Sequence, residues 1–241
     1  MWKNASNISR DPVFKNRVSF KMAVCHFKKG SYQIAESLLT NVTESMRQDN
    51  IKQNALFLLG DLALFRGEYE KAQKLYTDII KQYSNGDFAN NAIERLSIIG
   101  SIGIDNSEVA ADNSILDRYA DAVEAHLLGE YEKAASILLE DKLISSAIGE
   151  QSIFYAGLIF IESENNAKAI ETLKRYIEKY PEGYYIERAY LFLGDSYIIN
   201  PETLDLAEEA YNKILQVFPD GPVTELARER LRRLKPQNKI G

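Results

Sequence analysis

Few side chains in this sequence are of the types that carry chemistry. Cys25 and His26 set a nucleophile beside a base, but adjacent helical residues diverge by about 100° and cannot form a hydrogen-bonded dyad. His126 stands alone, and a lone imidazole serves as a polar surface group as readily as a catalyst. Asp61 and Asp195 each follow a Leu-Gly pair, which could suggest paired carboxylates. They fall in different helices far apart in the chain, so they do not read as a two-carboxylate hydrolase. One cysteine and two histidines leave no disulfide and little for a zinc site. No P-loop, glycine-rich dinucleotide turn or ligand cluster is present. The triplets beginning at Asn4, Asn7 and Asn41 fit the glycosylation pattern and, without a signal segment, read as chance. The sequence implies no catalytic residue, no cofactor and no metal.

The elements that would position any site come from an internal repeat. Gly30-Ser31-Tyr32, Gly67-Glu68-Tyr69 and Gly129-Glu130-Tyr131 are each followed by an alanine, Ala35, Ala72 and Ala134. The same frame continues at Ala169 and Ala207, where the turn has drifted to Glu164-Asn165-Asn166 and Pro201-Glu202. Upstream of the turns stand Leu59-Gly60-Asp61, Ala156-Gly157-Leu158 and Leu193-Gly194-Asp195. Downstream stand Tyr83-Ser84, Tyr180-Pro181 and Phe218-Pro219. Ala72, Leu75, Tyr76, Ile79, Ile80 and Tyr83 form one apolar stripe at helical spacing, whereas Ala55 to Phe65 is apolar nearly all round. Each unit is therefore a buried helix, a tight turn and an amphipathic helix.

These phrases resemble the tetratricopeptide repeat, with a small residue at its eighth position (Ala23, Gly60, Ala122, Gly157, Gly194) and alanine at its twentieth in all five copies. The Leu-Gly-Asp phrase and Tyr-Pro endings resemble the branch found in bacterial outer-membrane assembly lipoproteins and Tol-Pal coordinators. The resemblance implies an all-α, right-handed α-solenoid of about five helical hairpins plus one extra helix and a C-terminal capping helix. The expected organisation is a leader at 1–11, a two-repeat block at 12–86, an extra helix (Phe88 to Ile102) and connector at 87–113, a three-repeat block at 114–221, and a capping helix with a basic tail at 222–241.

The resemblance also implies that the first helix of each hairpin lines a concave surface. Its fifth position holds Phe20, Phe57, Tyr119, Phe154 and Leu191; its twelfth holds Phe27, Leu64, His126, Ile161 and Ile198. With Asp61 and Asp195 they form a candidate groove for a protein or peptide, four of the five residues at the fifth position being aromatic anchors. The same rings could equally be covered by neighbouring helices as core. The carboxylate-clamp version of the repeat needs Lys and Asn where this chain has Phe20 and Val24, which disfavours it.

Composition sets the outer bounds. The 241 residues are 45% hydrophobic and 27% charged, ample for a packed core. A net charge of −6 argues against nucleic acid as partner. Residues 226–241 carry +5, which leaves −11 on the rest; the basic end could dock an acidic partner or complement its own helix dipole. No apolar run is long enough to span a membrane, and the opening residues lack a secretory h-region. The expectation is a non-catalytic scaffold, cytoplasmic as the chain stands and periplasmic or envelope-associated if it is a piece of a longer secreted protein. Two alternatives stay open: a structural segment of a longer repeat protein, and an enzyme on a helical-repeat frame. Oligomeric state is not legible.

Overall fold

Asp11 opens the first helix as the sequence predicts: its carboxylate accepts from the Val13 amide at 2.9 Å, with Pro12 at the first helical position. A computed structural model describes residues 11–45, 50–102 and 113–234. The leader, the Asp105-Asn106-Ser107 connector, the triplets at Asn4 and Asn7, and Lys235 and Lys239 lie outside the described residues. Every regular element among the described residues is helical, arranged as stacked hairpins of the α-solenoid class. No described helix is long and apolar enough to cross a membrane.

Two compact units divide between Leu128 and Gly129. The first holds α1 (Pro12–Lys28), α2 (Tyr32–Ser45), α3 (Asn50–Phe65), α4 (Tyr69–Gln82), α5 (Ala89–Ile102) and α6 (Ser114–Leu127). The second holds α7 (Tyr131–Leu138), α8 (Asp141–Ile144), α9 (Gly149–Glu162), α10 (Asn166–Lys179), α11 (Ile186–Tyr197), α12 (Leu204–Val217) and α13 (Thr224–Leu234), with a 3-10 turn at Pro201–Thr203 absorbing the inserted residue. The hairpins α1/α2, α3/α4, α9/α10 and α11/α12 pack within their units. The turn at Gly129 behaves differently. It joins α6, which packs on α3 in the first unit, to α7, which packs on α9 in the second.

The turns of α1/α2, α3/α4 and α9/α10 form because one residue in each takes a left-handed conformation. Gly30 and Gly67 have φ of 72° and 68°, and Glu164 takes the same role at 59° in the drifted copy. The Glu164 amide donates to Ile161 O at 3.0 Å and that of Asn165 to Phe160 O at 2.9 Å, the pattern that Gly30 and Ser31 make to Phe27 and His26. The geometry therefore outlasts the glycine, at a cost of about 1–2 kcal/mol for a residue with a Cβ.

The small eighth position answers to packing. A Cβ on Gly60 would lie 2.5 Å from the Tyr76 ring, and one on Gly194 would lie 2.4 Å from Tyr211. At Gly157 the facing residue is the slimmer Leu173, at 3.0 Å. Glycine here lets a tyrosine of the second helix lie flat against the first.

Candidate functional site

The tyrosines that press on Gly60 and Gly194 lead to the same polar triad, built twice. Tyr76 donates its hydroxyl to Asp61 Oδ1 at 2.7 Å, and Arg95 Nε donates to the same oxygen at 3.1 Å. Tyr211 donates to Asp195 Oδ1 at 2.7 Å, and Arg230 Nε donates to it at 2.8 Å. The two aspartates thus join a hairpin to the helix that follows it, α5 in one unit and α13 in the other. They are not a pair acting on one substrate. The extra helix α5 is the counterpart of the capping helix α13, and both read Ala-x-Glu-Arg-Leu, at 92–96 and 227–231.

The remaining hairpins replace the whole triad rather than part of it. The matching positions are Val24, Leu39 and Leu58 around α1/α2, and Leu158, Leu173 and Phe192 around α9/α10. Leu39 and Leu173 belong to apolar core clusters, Leu58, Leu158 and Phe192 pack against them, and Val24 is half-buried. A buried charge missing one partner is costly, whereas an all-apolar set of similar volume is not.

In the first unit the triad is sealed by α6. Arg95 Nη1 donates to the Tyr119 hydroxyl at 2.5 Å, and the guanidinium lies 5.6 Å from that ring's centroid and 5.9 Å from that of Phe57. Leu116, Tyr119, Ala120 and Val123 are the buried stripe of α6. Its acidic side chains accept from the turn tyrosines, Asp117 from Tyr69 and Glu124 from Tyr32. Leu127 and the adjoining Leu128 pack on the cluster that holds Phe27, Leu39 and Leu59. The first-helix face of this unit is therefore occupied by a helix of the same chain. Burial pushes the Tyr119 phenol up to about 12, and burial with Asp61 beside it raises Tyr76 well above the usual range. Burial opposes the Arg95 charge, but Tyr119, Asp61 and Tyr76 more than offset it.

The predicted groove residues divide accordingly. Phe27, Phe57, Asp61, Leu64 and Tyr119 are buried in the first unit, and Phe20 is half-buried beside them. In the second unit Phe154 is fully buried, stacked on Tyr185 at 4.4 Å, and Leu191 is buried with the α12 and α13 cluster. These aromatics and aliphatics form core rather than accessible surface, because second helices and, in the first unit, α6 cover them. His126 and Ile161 are half-buried. Asp195 is half-buried, and Ile198 remains exposed. Cys25 is exposed and His26 half-buried. Among the described residues no group of three or more His, Cys, Asp or Glu could hold a metal ion.

Two of the open surfaces of the second unit lie against helices α10 to α13. One is a cleft of about 370 Å³ lined by Asp195, Ile198, Tyr211, Arg230, Arg233 and Leu234. The other, about 440 Å³, lies between α10, α11 and α12, with Ile177, Tyr190, Leu193, Tyr197 and Leu206 inside a rim of Lys174, Glu178, Glu209 and Lys213. The second belongs mainly to second helices, where no groove was expected. The basic end is not free charge: Arg228 and Arg232 pair with Glu225 at 3.1 and 2.7 Å, Arg230 with Asp195, and Arg233 with Glu229.

Known proteins agree with the repeat. Residues 54–86 and 151–183 match the tetratricopeptide repeat family model. The chain is 27% identical, over 240 aligned residues covering 89% of its length, to a TPR repeat-containing protein, MJ1428, of Methanocaldococcus jannaschii. It spans 40% of that relative's length. Similar solved structures include the TPR domain of P58(IPK), at 16% identity with 95% of this chain and 58% of that one covered and a TM-score of 0.41. Another is the complex of yeast Sti1's TPR2AB domain with pHSP90, at 16% identity, 97% and 89% coverage and a TM-score of 0.40. The hairpins, their phrases and the two matched segments make this chain similar to tetratricopeptide repeat proteins.

Proposed function

We propose that this chain is a non-catalytic interaction scaffold that holds a helix or extended peptide of a partner protein against the first-helix faces of its hairpins. The observation that carries this reading is α6 in the first unit: a helix with one apolar stripe, a tyrosine over an arginine, and carboxylates on turn tyrosines. A face that binds a helix within the chain has the shape and hydrogen-bonding groups to bind one from outside it. The name of the Sti1 structure records a complex with pHSP90, and a peptide or protein partner for this chain is proposed in the same sense. The resemblance to the outer-membrane assembly and Tol-Pal branch supports an envelope-assembly setting, which fractionation of the native host would test.

Affinity capture with the full chain from its native host, read by mass spectrometry, tests the scaffold reading. The expected result is a small set of proteins enriched over a charge-matched helical-repeat control, and the absence of any specific partner would reject it. A structural role is the second reading. It is favoured for the first unit by the α6 helix already seated on that face, and predicts no capture through it.

A further inference from the structure

The two units present the same face in two states. In the first, Asp61, Leu64, Arg95, Ile98 and Ile99 occur at fixed offsets around the triad, and α6 packs on both helices that carry them. Asp61, Leu64, Ile98 and Ile99 are all fully buried there. In the second, where one inserted residue lengthens the Asp-to-Arg spacing from 34 to 35, the same offsets from the aspartate and from the arginine give Asp195, Ile198, Arg230, Arg233 and Leu234, and these residues line the 370 Å³ cleft. Ile198 is 38% exposed where Leu64 is at 0%, and the neighbouring Ile199 is 69% exposed. The Asp195 and Arg230 side chains are 28% and 30% exposed, against 1% and 18% for Asp61 and Arg95. No described residue of the second unit does for Arg230 what Tyr119 does for Arg95.

We infer that this open face of the second unit is a docking site for a partner protein's amphipathic helix of α6's chemistry: an apolar stripe carrying a tyrosine, flanked by carboxylates. The inference rests on the scaffold reading above and names the kind of helix and the place. The tyrosine ring covers the Arg230 guanidinium, its hydroxyl accepting from the arginine, and the stripe covers Ile198 beside the already buried Leu234. Charge selects the flanking residues. Arg233, paired with Glu229 of its own helix yet 68% exposed, stands where the first unit has the buried Ile98, so the partner of the second unit meets an added cation and supplies a further carboxylate to it.

The probe is a synthetic, fluorophore-labelled peptide of residues 113–128, titrated with the full-length chain and followed by anisotropy. Saturable binding is expected. It should weaken about tenfold or more with Ile198→Asp and with Arg233→Glu in the protein, and about fivefold when the peptide's tyrosine becomes phenylalanine. Both protein changes are at surface-reaching residues, and an unchanged melting temperature confirms that each variant folds. Ile93→Asp, on the exposed side of α5, should leave binding unchanged. Absence of saturable binding overturns the inference. So does binding indifferent to Ile198→Asp and Arg233→Glu, which would mean that the peptide displaces α6 or adheres elsewhere. If host partners are captured equally by the wild type and Ile198→Asp while the peptide fails, the scaffold reading stands and this site is withdrawn. If neither partner nor peptide binds, both fall.

Discussion

Arg95 donates to the hydroxyl of Tyr119 at 2.5 Å while lying over the face of its ring, and through that contact α6 closes over the Asp61–Tyr76–Arg95 triad. Its counterpart in the second unit, Arg230, keeps the aspartate and the tyrosine below it, but no phenol among the described residues lies above it.

That difference predicts unequal costs for one chemical change. Arg95→Leu should destabilise by about 3–5 kcal/mol, because it strands the buried Asp61 carboxylate. Arg230→Leu, in a half-exposed pair where water screens and replaces the lost partner, should cost about 1 kcal/mol. Urea unfolding of the full chain measures both. The combined change Asp61→Leu, Tyr76→Leu and Arg95→Phe copies the apolar set at Leu158, Leu173 and Phe192. It should cost less than the sum of its three single losses, by at least about 1 kcal/mol.

Alkaline pH should loosen the first unit. Tyr119 titrates near 12 when folded, against an ordinary phenol near 10 in the unfolded chain. Its neutral form therefore adds stability that is fully present below about pH 10 and is lost as pH rises through about 12. Tyr76 and Tyr211 shift in the same direction, mainly through burial and then the neighbouring aspartate. Denaturant midpoints across this range should fall steeply, and less steeply in Tyr119→Phe. A flat profile would contradict the buried phenols.

Truncating the expected ladder should expose its core role. Phe57→Ala and Phe154→Ala each remove a buried ring with ring neighbours on several sides, and each should cost about 3–5 kcal/mol. Calorimetry would show the loss as a lowered melting temperature, and a variant with an unchanged melting temperature would place that ring on the surface after all.

Glu164→Gly should stabilise the chain. The residue holds φ at 59° in a turn whose relatives use glycine, and relief of that strain outweighs the greater freedom of unfolded glycine. A gain of about 0.5–1 kcal/mol in chemical denaturation is expected, and a loss would mean that the Glu164 side chain contributes more than its backbone costs.

Much of the architecture was legible because the repeat writes its helices locally. Small residues face bulky ones across each hairpin, left-handed residues end first helices, and stripes at helical spacing mark second helices. The fate of Phe57 was less legible: an aromatic at a face position reads alike whether that face meets solvent or another helix. The triads were half legible. Asp61 and Asp195 stood out by their shared phrase, but Tyr76 and Arg95 lie 15 and 34 residues downstream, and only the doubled Ala-x-Glu-Arg-Leu pointed to the arginines.

By itself the sequence determined the hairpins, their turns and the absence of any motif that names a reaction, since these depend on residues close together in the chain. Tertiary structure decided where α6 lies. It covers α3 and seals Arg95, because burying its stripe there also gives acceptors to a guanidinium and two tyrosine hydroxyls at once. Periodicity shows that a helix has an apolar face; which surface meets that face depends on groups distant in sequence.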